Sequence, residues 1–120
     1  MYKSFKDMPV WQEAIEIAEY VFNFTNKLPR REDYGLTSQM RRSALSISAN
    51  IAEAFGRKHT ADKTKFYYYA RGSIFETQSH LEYGHNIKYF EDDIYNDLNK
   101  KLDNIAKSLN KIIISLNDSK

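Results

Sequence analysis

The sequence predicts an all-α protein: an antiparallel, up-down-up-down four-helix bundle that forms a single domain over residues 1–120. Apolar residues recur with the helical period in four segments, and no segment alternates with period two for long enough to form a strand. The chain has only 4 Gly and 2 Pro, fewer than a turn-rich sandwich or barrel needs. Short connections between long helices favour antiparallel neighbours.

The first predicted helix spans about residues 8–27 and carries two apolar stripes. A bundle helix needs one apolar face for its own core. The second stripe therefore indicates either a contact with another subunit or a deeply packed helix. The first stripe consists of Val10, Ala14, Ile17, Val21 and Phe24. The second contains Ala18 and the candidate interface residues Trp11, Ile15 and Phe22.

The second predicted helix, about residues 35–57, has an apolar row and a polar row. The apolar row comprises Leu36, Met40, Ala44, Ile47, Ile51 and Phe55. The polar row falls within about 80° of the helix surface and comprises Gln39, Arg42, Ser46, Asn50, Glu53 and Arg57. It is either exposed to solvent or part of a paired network, because buried polar groups need partners. The candidate structural network is Gln39, Ser46, Asn50, Glu53 and Glu76.

The third predicted helix covers residues 60–86. Its core row is Phe66, Ala70, Ile74, Thr77, Leu81 and Gly84. Gly72 and Gly84 each cost about 1 kcal/mol of helix stability relative to Ala, which indicates close packing or a kink. Tyr68 and Phe75 point away from the core row and are further candidates for subunit contact.

The fourth predicted helix, about residues 91–117, has the clearest periodicity in the chain. Leucine and isoleucine recur at alternating spacings of four and three residues, which is a heptad seam. The seam consists of Leu98, Leu102, Ile105, Leu109, Ile112 and Leu116.

Composition restricts the compartment that we expect. The chain has no Cys, which excludes disulfides and fits a reducing compartment. The first residues show no apolar segment typical of a secretory signal. The longest aliphatic run is Ile112–Ile114, far shorter than the ~20 residues that span a bilayer. We therefore expect a cytoplasmic protein that does not associate with membranes.

No pattern of catalytic or cofactor-binding residues stands out. Neither phosphate-binding glycine motif occurs. Metal sites in bundles use two Glu-x-x-His pairs, whereas this chain has one, Glu82 with His85, and Glu82 lies away from the core row. We therefore expect a protein that is not an enzyme and that holds no metal or cofactor.

The basic residues are concentrated in the middle of the chain. Residues 30–72 contain nine basic and four acidic side chains and all six Arg. Such an excess indicates either a solvated helix face or a nucleic-acid surface. The candidate phosphate contacts are Arg41, Arg42, Arg57, Lys58, Lys63 and Arg71, with Lys65 nearby. Aromatic residues that would stack on unpaired bases if exposed are Phe66, Tyr67, Tyr68, Tyr69 and Phe75. The alternative is that these residues belong to the core and to the subunit interface, and for Phe66 the core is the better fit.

Several motifs resemble a known family. They are Val10-Trp11-Gln12, Tyr34-Gly35-Leu36, Gln39, Arg41-Arg42, Ser46, Asn50-Ile51-Ala52-Glu53, Arg57, Phe66, Ala70, Gly72-Ser73 and Glu76. Together they resemble the bacterial four-helix-bundle proteins encoded within intervening sequences of 23S ribosomal RNA genes. The resemblance covers about residues 5–90, and Ala54 departs from it where many members carry Gly.

The resemblance implies an antiparallel four-helix protomer and a homopentameric ring. It also extends to the accessory variability determinant proteins of diversity-generating retroelements, which bind nucleic acid and a reverse transcriptase through a basic surface. Carried over, Arg41, Arg42 and Arg57 contact phosphate; in the structural alternative, Arg42 or Arg57 pairs with Glu53 or Glu76 across helices or subunits. We expect a non-enzymatic oligomer that binds RNA or DNA through a basic surface centred on the second helix. The alternative is a scaffold for a protein partner such as a polymerase or reverse transcriptase.

Overall fold

Four long helices make up most of the protein. The computed structural model describes residues 1–118. Its helices are α1 (Pro9–Thr25), α2 (Leu36–Gly56), α3 (Thr60–Asn86) and α4 (Asp92–Asp118), with short 3-10 helices at Phe5–Asp7 and Arg30–Glu32. The architecture confirms the predicted all-α four-helix bundle. Predicted and observed helix ends differ by no more than one or two residues, and the bundle measures 47 × 21 × 20 Å.

Side-chain contacts show that α3 runs antiparallel to both of its neighbours. Towards α4, Arg71 Nη1 donates to Asn110 Oδ1 at 2.9 Å, and Gln78 Nε2 donates to Asp103 Oδ1 at 2.8 Å. Later residues of α3 thus meet earlier residues of α4. The bonds between α3 and α2 show the same reversal. The turn between α2 and α3 therefore lies at the same end of the bundle as the end of α4.

Most of the predicted core rows are buried. In α1 and α2 the buried members are Val10, Ala14, Ile17, Val21, Leu36, Met40, Ala44, Ile47 and Ile51, while Phe24 and Phe55 are partly buried. In α4 the seam is buried from Leu98 to Leu109, but then Ile113 replaces Ile112. Ile112 and Leu116 pack only partly against the core. A straight α-helix drifts by about 20° per heptad relative to a strict seven-residue repeat, which explains the change.

The two glycines of α3 have different surroundings. A Cβ atom on Gly84 would collide with the ring of Phe90, which lies in the connection between α3 and α4. Gly84 therefore allows Phe90 to cover the end of the core. Within residues 1–118, a Cβ atom on Gly72 would meet no atom within 4 Å apart from the adjacent residues and backbone of its own helix. Close packing within the chain thus explains Gly84 but not Gly72.

A carboxylate connects the two loops at the end of the bundle opposite the α2–α3 turn. Glu32 accepts a hydrogen bond from the backbone N–H of Leu36, at 3.1 Å, and another from the Tyr89 hydroxyl, at 2.9 Å. The Leu36 bond, with a smaller contribution from Tyr89, lowers the pKa of Glu32 below its ordinary value. Glu32 thus caps the start of α2 and attaches it to the α3–α4 connection.

The α4 seam provides a direct test of the fold. Ile105 is 1% exposed, so Ile105→Ala should lower the free energy of unfolding by about 2–5 kcal/mol through lost burial and a cavity. Ile114→Ala is the matched control, because Ile114 lies on the same helix and is 60% exposed. We expect the control to stay within about 0.5 kcal/mol of the wild type in urea unfolding. Equal losses in the two variants would contradict the assigned core.

Candidate nucleic-acid interface

Arg41 is bound to the end of α1. Its Nε donates to Thr25 Oγ1 at 2.9 Å, and its Nη2 donates to Asn26 Oδ1 at 2.8 Å and to the Phe22 carbonyl at 3.2 Å. The guanidinium also lies 4.5 Å from the centre of the Phe22 ring. Carbonyls in the last turn of a helix have no partner within the helix, so Arg41 satisfies one of them. Arg41 therefore uses most of its donors to hold α1 against α2.

Arg42 belongs to a polar row that crosses from α2 to α3 on the surface. Its Nη2 forms an ion pair with the Glu76 carboxylate, and its Nε donates to Gln39 Oε1 at 3.1 Å. The same Glu76 oxygen lies 3.3 Å from His80 Nε2. Burial, and then the charge of Arg42, lower the pKa of His80. This row contains two residues of the predicted polar network, Gln39 and Glu76, and one predicted phosphate contact.

A chain of hydroxyl groups runs beneath that row between α2 and α3. Thr77 Oγ1 donates to Ser43 Oγ at 2.9 Å, and Ser73 Oγ donates to Ser46 Oγ at 2.9 Å. Asn50 Nδ2 extends the chain with bonds to the Ser46 carbonyl at 2.9 Å and to Ser46 Oγ at 3.0 Å. The sequence reasoning placed Ser46 and Asn50 in a network but missed Ser43 and Ser73. Each of these two serines comes immediately before a core residue of its helix, and this position is the sequence pattern that indicates them.

Arg57 lies just beyond the end of α2 and is partly exposed. Its guanidinium is 4.6 Å from the centre of the Phe66 ring and 3.5 Å from the Glu53 carboxylate. The side chains of Arg57 and Glu53 are 44% and 52% exposed. Glu53 therefore belongs to a surface ion pair and not to the hydroxyl chain. An exposed pair of this kind contributes only about 0.3–0.5 kcal/mol.

The other candidate cations differ in how strongly the chain holds them. Lys63 Nζ donates to the Ala54 and Phe55 carbonyls at 3.2 and 3.0 Å, so it provides hydrogen-bond donors to carbonyls in the last turn of α2. Arg71 bonds to α4 and lies 4.8 Å from the centre of the Tyr68 ring. Lys58 and Lys65 are exposed, and the Lys65 ammonium is 5.8 Å from the centre of the Tyr69 ring.

The aromatic residues of α3 divide between core and surface. Tyr67 is only 4% exposed, so of the two alternatives left open by the sequence it belongs to the core and is not available for base stacking. The sequence placed Phe66 in the core row, but Phe66 is only partly buried and the next residue, Tyr67, is buried instead. This difference requires only a small rotation of α3 about its axis. Tyr68, Tyr69 and Phe75 are exposed by 42%, 49% and 54%.

Two of the candidate interface residues of α1, Ile15 and Phe22, line one side of a groove against α2, and Trp11 lies outside that groove's lining. Trp11 and Ile15 are partly buried, and Trp11 packs edge-on against Phe5 with ring centres 5.1 Å apart. Phe22 is 53% exposed, and Leu45 of α2 faces it across the groove with 56% exposure. The groove has a volume of about 540 Å³. An apolar face therefore remains open on the outside of the α1–α2 pair.

The two ends of the bundle differ in charge. The basic end contains the α2–α3 turn, the chain start and the last turns of α4. Among the described residues, its cations are Lys3, Lys6, Arg57, Lys58, Lys63, Lys65 and Lys111, and its acidic residues are Asp7, Glu13, Glu53, Asp62 and Asp118. The opposite end carries Lys27, Arg30, Arg31 and Lys88 beside Glu32, Asp33, Glu91, Asp92 and Asp93. The first end is thus electropositive, while charges at the opposite end nearly balance.

The single Glu-x-x-His pair is divided between separate contacts. Glu82 accepts a hydrogen bond from the Tyr95 hydroxyl, while His85 Nε2 lies 2.8 Å from Asp92 Oδ1. Within residues 1–118, no cluster of three or more His, Asp or Glu side chains is arranged to hold a metal ion. None of the helices in this described part of the chain is both long and apolar enough to cross a membrane.

Comparisons with known proteins agree on one family. The model of the family described as "23S rRNA-intervening sequence protein" matches residues 6–111. A crystal structure of a protein of unknown function from the S23 ribosomal protein family of Bacteroides thetaiotaomicron VPI-5482 is similar to this chain, with 28% identity and a TM-score of 0.80. The similarity covers 87% of this chain and 94% of that chain. A search of curated proteins found no significant match.

Proposed function

Since the chain belongs to the 23S rRNA-intervening sequence protein family, we propose that it is a non-enzymatic, cytoplasmic homo-oligomer that binds RNA or DNA. The observation that carries this proposal is the charge asymmetry between the two ends of the bundle. Clustered exposed cations attract a polyanion and release its condensed counterions when phosphates are neutralised. The basic end is therefore the surface that we assign to nucleic acid.

Arg41 and Arg42 are held by contacts within the bundle, so we place the centre of the proposed surface further along α2. Arg41 and Arg42, near the beginning of α2, direct their donors to α1 and to Glu76. Lys58 and Lys65 are exposed at the other end of the helix pair, and Arg57 lies beside them. A phosphate would meet ammonium groups there without breaking bonds between helices. The proposed surface is thus centred on the end of α2 and the beginning of α3.

The exposed apolar groups support self-association. Phe22 on α1 and Phe75 on α3 are each more than half exposed, on faces that the bundle itself leaves uncovered. Phe22 shares the α1–α2 groove with the exposed Leu45, and exposed apolar side chains grouped in this way are typical of interaction sites. In a cyclic oligomer every copy has the same orientation relative to the symmetry axis, so the basic ends would form one continuous ring. The pentameric stoichiometry of this proposal rests on the family resemblance.

The groove between α1 and α2 also favours a second function. Ile15, Phe22 and Leu45 give it an apolar lining that suits a protein partner, for example a polymerase or reverse transcriptase. In this alternative the protein is a scaffold, and its basic side chains serve mainly to hold the helices together. Co-purification with such a protein after nuclease treatment, without salt-sensitive nucleic-acid binding, would favour the scaffold.

We expect nucleic-acid binding to depend on the exposed lysines of the basic end. A Lys58→Ala/Lys65→Ala variant should bind labelled RNA or DNA about 3- to 10-fold more weakly at low salt. The dependence of log Kd on log salt concentration should become less steep by about one to two units, because two phosphate contacts are lost. Fluorescence anisotropy at several salt concentrations measures both quantities.

The matched control for binding is Lys27→Ala/Arg30→Ala, which removes two exposed cations from the opposite end. We expect the control to bind within about twofold of the wild type, because screening limits the reach of exposed charges to about 10 Å at moderate salt. Equal weakening in both variants would show that only net charge matters. Absence of binding by the wild type at low salt would overturn the proposal.

We expect formation of the homo-oligomer to depend on the uncovered apolar faces. Phe22→Glu and Phe75→Glu should each convert the oligomer to monomer, since a buried carboxylate without a partner is costly at an interface. Light scattering coupled to gel filtration gives the mass, and circular dichroism should show unchanged helix content. Tyr34→Glu is the control, because Tyr34 lies in a connection and is 98% exposed. A wild-type protein that is monomeric at micromolar concentration would contradict the prediction.

A further inference from the structure

A cluster of aromatic and basic side chains occupies the corner where α2 ends and α3 begins. The Arg57 guanidinium lies 4.6 Å from the centre of the Phe66 ring. The Phe66 ring in turn meets the Tyr69 ring edge-on, with centres 5.4 Å apart and an interplanar angle of 87°. Lys65 Nζ is 5.8 Å from the centre of the Tyr69 ring. We call Arg57, Phe66, Tyr69 and Lys65 the aromatic corner.

We propose that the aromatic corner binds an unpaired stretch of nucleic acid by stacking bases on Arg57 and Tyr69. This inference rests on the proposed function and adds the class of nucleic acid. One base would stack on the outer face of the Arg57 guanidinium, and a neighbouring base on the ring of Tyr69. Phosphates of the same strand would lie near the ammonium groups of Lys58 and Lys65.

The exposure of the two stacking groups favours this arrangement. Tyr69 is 49% exposed, and the Arg57 side chain is 44% exposed although one of its faces covers Phe66. Bases stack on aromatic rings and on guanidinium planes, and such stacking tolerates any base because each has a π-face. Glu53 and Phe66 hold the guanidinium in place before binding, so less side-chain freedom is lost on stacking.

The same geometry disfavours a duplex as the preferred ligand. In a duplex each base is stacked between its neighbours, so only base edges and phosphates reach a protein surface. Tyr69 would then have no base face to contact. The Arg57 guanidinium is held over the Phe66 ring and beside the Glu53 carboxylate, which also limits its reach towards the phosphates of a rigid helix. An unpaired strand can place both its bases and its phosphates against one small corner.

The local backbone charge does not oppose binding there. The last carbonyls of a helix carry partial negative charge, which would repel phosphates at the end of α2. Lys63 Nζ donates to two of those carbonyls, Ala54 at 3.2 Å and Phe55 at 3.0 Å. The start of α3 presents its positive end at the same corner. The corner is thus suited to a polyanion.

The test compares strands and duplexes by fluorescence anisotropy. The probes are an unstructured oligouridylate and an oligothymidylate of about 15 nucleotides, and a mixed-sequence duplex of the same length. Arg57→Lys keeps the positive charge but removes the planar guanidinium group, and Tyr69→Leu removes the aromatic ring. We expect each to weaken single-strand binding at least about fivefold while duplex binding changes less than about twofold.

Two matched variants isolate stacking from other effects. Tyr69→Phe keeps the ring and should retain wild-type affinity for the single strands. Tyr83→Leu removes a tyrosine that is 55% exposed on the same helix but far from the corner, and it should also bind normally. Circular dichroism confirms that each variant is folded before its affinity is compared.

The outcomes separate this inference from the proposed function. Preference for single strands, lost in Arg57→Lys and Tyr69→Leu, supports the stacking site. Duplex binding as tight as single-strand binding, with both variants within about twofold of wild type, overturns it and leaves nucleic-acid binding intact. No binding to any probe at low salt overturns the proposed function and this inference together.

Discussion

The contact between α2 and α3 is the interaction on which the other features depend. Ser43, Ser46, Ser73 and Thr77 let the two helices approach closely, and their hydroxyl groups bond to one another across the contact. Thr77 and Ser43 are fully buried, and each hydroxyl also reaches a carbonyl of its own helix, Ser73 at 2.8 Å and Met40 at 3.3 Å. A shift along the helix axis would still break the hydroxyl bonds between the two helices. These bonds therefore favour one register between α2 and α3. That register in turn brings Phe66 beneath Arg57 and Glu76 beside Arg42.

Arginine in this protein serves two different purposes. Arg41 and Arg42 lie where they tie α2 to α1 and α3, with bonds that other side chains of the bundle accept. At the far end of α2, Arg57 lies on a ring and keeps one face open to solvent. A basic stretch of sequence therefore does not correspond to one basic surface. The antiparallel fold collects exposed cations from distant segments, including Lys6 and Lys111, at a single end.

The sequence predicted the fold well and the site only in part, for physical reasons. Helix periodicity depends on local spacing, so the helices and most core rows followed directly from it. Which of Ile112 and Ile113 is buried depends on helix drift, and which of Phe66 and Tyr67 is buried depends on a small rotation set by neighbouring helices. The partners of Arg41 lie on another helix, so they depend on a register that no local pattern reveals.

The most direct measurement of the central claim is a double-mutant cycle on the buried hydroxyl pair. Ser43→Ala, Thr77→Val and the double variant are compared with the wild type by urea unfolding at one protein concentration. We expect Thr77→Val to cost about 1–3 kcal/mol, and the double variant to cost clearly less than the sum, because the two hydroxyls share a bond. Additive effects, or a Thr77→Val variant as stable as the wild type, would contradict the claim that this contact sets the register.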